Sequence, residues 1–334
     1  MPLKIRELIA GVAVAAVAST MAVAPASAEK IRVAGNFAVE HSSSRAMEMF
    51  KTRVEDATGG ALEVDVFPAM QLGGAKENVD QVRSGALMMT WIGVAYLSRT
   101  APELEAVSLP FVFPNREAAF RVIDGPVGDL LNEKLESRGF TVLGWMELGS
   151  RNVTNNTRPI KTIADFAGLK IRLQPNETHL ATFRAIGANP VSMGIKEVYS
   201  ALQQGVLDGQ ENPYSIIKTR NFNEVQTYLS DSSHFFDFIV VVANKRAFEK
   251  LSPGHQKAIT NAMAEVVAWQ RQQAAEEDTA SREALIAAGM QFDALSPETR
   301  SKLRALTEPV VAELKARIGA ELVDAVIEQA GSGQ

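Results

Sequence analysis

The stretch GLKIRLQPN, residues 168–176, decides how the chain is read. Leu169, Ile171 and Leu173 alternate with Lys170 and Arg172, the two-residue period of a β-strand with one apolar face. Gln174, Pro175 and Asn176 then turn the chain, so Arg172 lies near the carboxyl end of its strand. A guanidinium there is costly to bury without a partner. Its planar fork of donors matches a carboxylate in two parallel bonds, and in open α/β sheets ligands sit beyond the carboxyl ends of strands. Three partners are open to Arg172: an acid of the protein, water reached by snorkelling, or an anionic ligand.

The flanks supply the rest of the unit. In KTIADFA (161–167), Thr162 and Asp165 stand at capping-box spacing, with Asp where Glu or Gln is usual, and Gly168 ends the short helix. ETHLATFRAIGANP (177–190) reads as a helix closed by Gly187 and Pro190, and VSM (191–193) begins another strand. The same plan opens the chain. KIRVAGN (30–36) is a strand, residues 42–60 carry Met47, Phe50 and Val54 at helical spacing, and LEVDVFP (62–68) is the next strand. Each set is a βαβ unit with parallel strands. A shorter echo links QVRSGALMM (81–89) to ALQQGVLDG (201–209), each a helix end, a glycine free to take positive φ, then a strand.

The last third is helical. Ser252 and Pro253 start a helix over 254–288, about 50 Å long at 1.5 Å per residue and longer than one lobe. A second helical stretch covers 297–318, and a third ends the chain. These elements predict an α/β protein of two lobes on a hinge. One lobe holds 29–149 with 238–277, the other 150–237 with 278–330, and the long helix bridges both.

The N-terminus gives the address. Lys4 and Arg6 precede an apolar run of 11 residues (8–18), and Ala26-Ser27-Ala28 is a small-residue cleavage site. This is the form of a secretory signal peptide cut after Ala28. The run falls short of the ~20 residues of a membrane span, and no cysteine follows it to carry a lipid. The mature chain has 306 residues and, without Lys4, Arg6 and Glu7, a net charge of −6. That length suits two domains, and a mildly acidic chain without basic clusters argues against nucleic acid.

The chain carries none of the common catalytic or metal-binding motifs. The chain has no cysteine, and its four histidines (41, 179, 234 and 255) lack metal-ligand spacing. There is no Walker A loop, no GxGxxG and no GxSxG. No metal, cofactor or catalytic residue is therefore expected. The polar residues that stand out end strands. Arg151 follows TVLGWMEL (141–148), and Asn212 is held before Pro213 in a narrow backbone range. With Arg172 they suit a carboxylate clamp. Trp91, Tyr214, Phe235 and Phe236 are candidates for its apolar wall, or else core residues.

Three segments carry a resemblance: GSRNVTNNTRPIKTIADFAGLKIRLQ (149–174), EVYSALQQGVLDGQENP (197–213) and residues 224–259. Together they resemble the solute-binding proteins of tripartite ATP-independent periplasmic (TRAP) transporters, the DctP-like family, across nearly the whole mature chain. The resemblance implies a two-lobe periplasmic binding protein, type II-like, that acts as a monomer and delivers a small organic acid to one small and one large membrane subunit. It implies that Arg172 pairs with the ligand carboxylate, that Arg151 and Asn212 join it, and that Asn36 lines the pocket. Sialate-binding relatives carry a glutamate near Gly93, so the glycine counts against sialate. Two other readings remain at this stage. An exported enzyme acting on a carboxylated substrate would draw on His41, His234 or Asp237. A sensory binding protein would share the fold.

Overall fold

The computed structural model describes residues 28–332. The expected leader, apart from Ala28, lies outside the described residues. Nine strands form one mixed sheet: β1 (Glu29–Gly35), β2 (Leu62–Phe67), β3 (Met89–Gly93), β4 (Phe140–Asn155), β5 (Lys170–Leu173), β6 (Asn189–Ser192), β7 (Gly209–Asn212), β8 (Tyr228–Asn244) and β9 (Gln291–Ala294). Their order is β2-β1-β3-β8-β4-β7-β5-β6, with β9 beside β8. β1 pairs parallel with β2, and β5 parallel with β6, so both βαβ units form as read.

The sheet is joined by two strands far longer than the usual five or six residues. β4 has 16 residues and β8 has 17, and they pair antiparallel through both halves of the molecule. The pairing slips three times, between Val142 and Gly144 and, in mid-course, between Glu147 and Gly149 and between Arg151 and Val153. Such irregularities bend strands and sharpen twist, and the latter two fall where the chain passes from one half to the other. Gly149 sits at φ 111°, backbone that a side chain would strain. A glycine at this place reads in sequence as the end of a strand. In the structure the strand continues, so Arg151 lies inside β4 and not beyond its end.

Capping follows the sequence closely. Asp165 accepts from the Thr162 backbone N–H at 2.7 Å, and Ser252 Oγ accepts from the His255 N–H at 3.1 Å. The helix that Ser252 starts runs over Pro253–Ala287, 35 residues. It packs on the helix Ser42–Ala57 of the first half, on β4, and on the helix Tyr214–Thr219 of the second. Glu277 near its end accepts the Ser42 N–H at 3.1 Å and pairs with Arg45 at 2.9 Å.

Two expectations need correction. The helical stretch 297–318 is two helices, Pro297–Leu306 and Glu308–Ile318, because Pro309 has no N–H to continue the first. The closing helix Ala320–Gly331 packs on the helix Arg116–Ile123, and its Leu322, Val323 and Val326 join the apolar cluster of Leu104 and Val122. It therefore belongs with the first half and not, as expected, with the second. Its apolar stripe fixes only that it is buried; sequence does not say against what.

Candidate ligand-binding cleft

A small cavity of about 40 Å³ lies between the halves. The first half contributes Asn36, Met70, Gly93 and Tyr96, and the second Arg172, Gln174, Asn212 and Arg220. Phe37, Leu148, Ile195 and Ile216 give it apolar walls. Arg172 stands where its strand ends, 1% exposed. Its Nε donates to the Met193 carbonyl at 2.8 Å and its Nη2 to Tyr96 Oη at 3.2 Å. Arg220, at the end of the helix Tyr214–Thr219, donates to the Asn36 carbonyl at 2.7 Å. Neither arginine has an acidic partner among the described residues, and no Asp or Glu lines the cavity. Burial, with the like charge of Arg172 added to it, holds Arg220 below the ordinary arginine value. The cavity therefore presents two unneutralised cations, a local demand for an anion.

Arg151 has a different place. It is wholly buried and does not border the cavity. Its Nη1 donates to Asp237 at 2.9 Å, and its Nη2 to the Glu211 carboxylate and carbonyl, both at 2.7 Å, and to Asn212 Oδ1 at 3.1 Å. Nε also meets Glu211. Burial pushes Glu211 upward, yet Arg151 and His234 pull it down to about 2. Arg151, expected beside the ligand, is held in this structure by the protein's own acids. It is used up one layer behind, where it fixes the Asn212 amide. Asn212 Nδ2 gives one hydrogen to Gln210 Oε1 at 2.5 Å, which leaves its second for the cavity it lines. Gln174 ties the same layer in, with Nε2 donating to Asp237 at 2.7 Å.

The four aromatic candidates are core. Trp91 is fully buried, edge-on to Phe50 at 5.7 Å. Tyr214 packs with Ile217 and Phe222, Phe235 stacks on His179 at 3.9 Å, and Phe236 lies edge-on to Phe113 and Phe120. None borders the cavity. Trp91, Phe235 and Phe236 sit on strands buried along most of their length, and Tyr214 opens a helix whose first four residues are buried, so each packs on protein. Tyr96, Gln174 and Arg220 were missed. Gln174 is legible as the residue that turns the chain after Arg172, but Arg220 in KTRN has no signal to set it apart from a surface arginine.

His41 and His234, read from the sequence as candidates for an enzyme, hydrogen-bond within the protein. His41 caps the helix Ser42–Ala57, its Nδ1 accepting the Ser43 N–H at 3.1 Å. His234 lies between Glu211 at 3.1 Å and Ser232 at 2.7 Å. Neither lines the cavity. Among the described residues no cluster of ligating side chains suits a metal, and no helix is long and apolar enough to cross a membrane.

Residues 33–317 match the family described as bacterial extracellular solute-binding protein, family 7 (DctP). The chain belongs to this family. It is 34% identical over 323 residues to the C4-dicarboxylate-binding periplasmic protein DctP of Rhodobacter capsulatus, covering 95% of this chain and 97% of that one. It is 35% identical over 250 residues to the 2,3-diketo-L-gulonate-binding periplasmic protein YiaO of Escherichia coli, covering 75% and 76%. Among solved structures it is similar to the sugar acid binding protein DctPAm of Advenella mimigardefordensis in complex with galactonate. That likeness has a TM-score of 0.90 at 33% identity and covers 92% of this chain and 99% of that one. The chain is thus a TRAP-type periplasmic solute-binding protein, with the mixed α/β fold of that family.

Proposed function

We propose that the cleft captures a small organic acid, with its carboxylate on Arg172, and hands it to the small and large membrane subunits of a TRAP transporter. The observation that carries this is the buried guanidinium of Arg172, 1% exposed, which lines a cavity between two halves and has no acidic partner among the described residues. A buried charge wants a counter-charge. Here the space beside it is open to a ligand, which answers the question that the strand raised.

Asn212 and Asn36 take the ligand's other oxygens, and Arg151 holds Asn212 in place. The lobes meet across the cavity through β4, β8 and the long helix, and they open and close around the ligand. The chain reaches the periplasm by a leader cut after Ala28 and works as a monomer, without catalysis. Relatives named for dicarboxylate and sugar-acid ligands support a carboxylate here.

Calorimetry of the mature chain against a panel of organic acids tests the reading, with Arg172→Lys as control. Binding of an acid by the wild type, lost in the variant, is the expected result. Wild-type affinity in Arg172→Lys would remove the residue from the role. Consumption of the ligand on long incubation would replace transport with an enzyme.

A further inference from the structure

The cleft also has groups that a bare carboxylate does not satisfy. Asn36 is 5% exposed and lines the cavity, and its Oδ1 has no hydrogen-bond partner in the protein. Its orientation is fixed by its neighbour. Asn36 Nδ2 donates to Asn78 Oδ1 at 2.8 Å, while Asn78 Nδ2 donates to the Leu72 carbonyl at 3.1 Å. Turning the Asn36 amide over would set oxygen against oxygen, so Oδ1 is an acceptor without a donor. A buried acceptor left unpaired is costly. A carboxylate oxygen only accepts and would be repelled there, whereas a hydroxyl donates.

A donor stands beside this acceptor. Arg220 binds the backbone carbonyl of the same Asn36 at 2.7 Å and faces the same cavity. A hydroxyl both gives and takes one hydrogen bond, so one group can meet Asn36 Oδ1 and Arg220 together.

Charge points the same way. Arg172 and Arg220 line the cavity, and Arg151 lies directly behind it. Against these three cations stand Glu211 and Asp237. Burial pushes Asp237 upward, but Arg151, Gln174 and the Phe238 N–H all donate to it, at 2.9, 2.7 and 2.9 Å. Those three donors are the surroundings of a carboxylate. The cluster then carries one surplus positive charge, which one ligand carboxylate neutralises. A second would leave a buried negative surplus.

We infer that the cleft selects a hydroxylated monocarboxylic acid, with the carboxylate on Arg172 and a hydroxyl between Asn36 Oδ1 and Arg220, and discriminates against unsubstituted dicarboxylates. The inference rests on the carboxylate reading above and narrows it. Asn36 and Arg220 become the specificity residues of the site.

The test is calorimetry of the mature chain with matched four- and six-carbon acids. The plain members are butyrate and hexanoate, the dicarboxylates succinate and adipate. The hydroxylated members are erythronate, threonate, gluconate, galactonate and gulonate. At least one hydroxylated acid should bind 100-fold or more tighter than the plain acid and the dicarboxylate of its length. Arg220→Gln should weaken that acid tenfold or more and change the plain acid less than threefold. Asn36→Ala should do the same, and its thermal unfolding shows whether it is folded; Arg220→Gln carries the test if it is not. A dicarboxylate that binds as tightly as the best hydroxylated acid overturns the inference and leaves the carboxylate reading intact. So does an Arg220→Gln variant that weakens plain and hydroxylated acids alike. If no acid binds, both readings fall.

Discussion

Arg151 Nη1 and the Asp237 carboxylate meet at 2.9 Å between neighbouring strands β4 and β8, with both side chains buried. Glu211 closes the other side of the guanidinium. The cluster lies where β4 and β8 pass between the halves, so it fixes the strands at that point as well as Asn212. Removing one member leaves a buried charge uncompensated, which costs about 3–5 kcal/mol. Glu211→Gln should therefore lower the free energy of unfolding by about that much in a urea titration. A change below 1 kcal/mol would mean that water reaches Arg151.

Buried histidines, His41 and His179 among them, weaken the fold in acid. Burial, with the charge of Arg45 and Arg220, lowers His41 to about 3. Burial also lowers His179 to about 3. In the unfolded chain each titrates near 6.5. Between about 6.5 and 3 the unfolded state therefore binds the proton first. Stability falls with falling pH by about 1.4 kcal/mol per pH unit for each histidine. His179 stacks on Phe235 at 3.9 Å, and its Nδ1 has no partner. His179→Phe keeps the ring and removes the titration. Its stability should fall less steeply from pH 6 to pH 4 than that of the wild type, by about 1.4 kcal/mol per unit. Parallel curves would place His179 in contact with water.

The pairing of β7 with β4 leaves no room at Gly209. A Cβ built there would stand 2.1 Å from the Thr154 carbonyl oxygen, which is backbone and cannot turn aside. Gly209→Ala should cost about 1–3 kcal/mol or more, the usual range for overpacking. It should also weaken binding, because β7 ends in Asn212. Wild-type stability in a denaturant titration would show that the two strands can separate slightly at no cost.

Local pattern carried the two βαβ units, the caps at Thr162 and Ser252, and the place of Arg172 at a strand end. Each of these depends on residues within a few positions of one another. The failures depend on distance. Gly149 reads as the end of a strand, and only the partner strand shows that it is a bulge; that error moved Arg151 from the layer behind the cavity to its rim. Arg220 and Tyr96 reach the cavity only because the halves meet there, 76 positions separating Tyr96 from the Arg172 it bonds. The aromatic residues were undecided for the same reason, since an alternating strand gives a face but not what covers it.

Arg172→Lys keeps the charge and loses the planar fork. The Nε bond to Met193 and the contact to Tyr96 would also go. Charged hydrogen bonds contribute about 1.5–3 kcal/mol each, so affinity for the carboxylate ligand should fall by about 2 kcal/mol or more in calorimetry. The fold should hold, because the remaining stem still lies among Ile171, Leu173 and their neighbours in the sheet. An unfolded variant would instead make Arg172 a structural residue.

The last prediction concerns closure. Two contacts span the cavity, Tyr96 Oη to Arg172 at 3.2 Å and Arg220 to the Asn36 carbonyl at 2.7 Å. Each joins the first half to the second, so opening the cleft would break both. The halves are otherwise linked by β4, β8 and the long helix, with strand irregularities at Glu147/Gly149 and Arg151/Val153 that suit a hinge. Without ligand, the two cations of the second half, Arg172 and Arg220, have no anion beside them, and opening lets water reach both. With ligand, the anion draws both halves together. Small-angle scattering should then give a smaller radius of gyration at saturating ligand than without it. Tyr96→Phe removes one cross-cleft bond and leaves Arg172 its other partner. It should bind more weakly, with the loss in a faster off-rate, since closure is what holds the ligand. Identical scattering with and without ligand would leave a preformed pocket that ligand enters without any movement of the lobes.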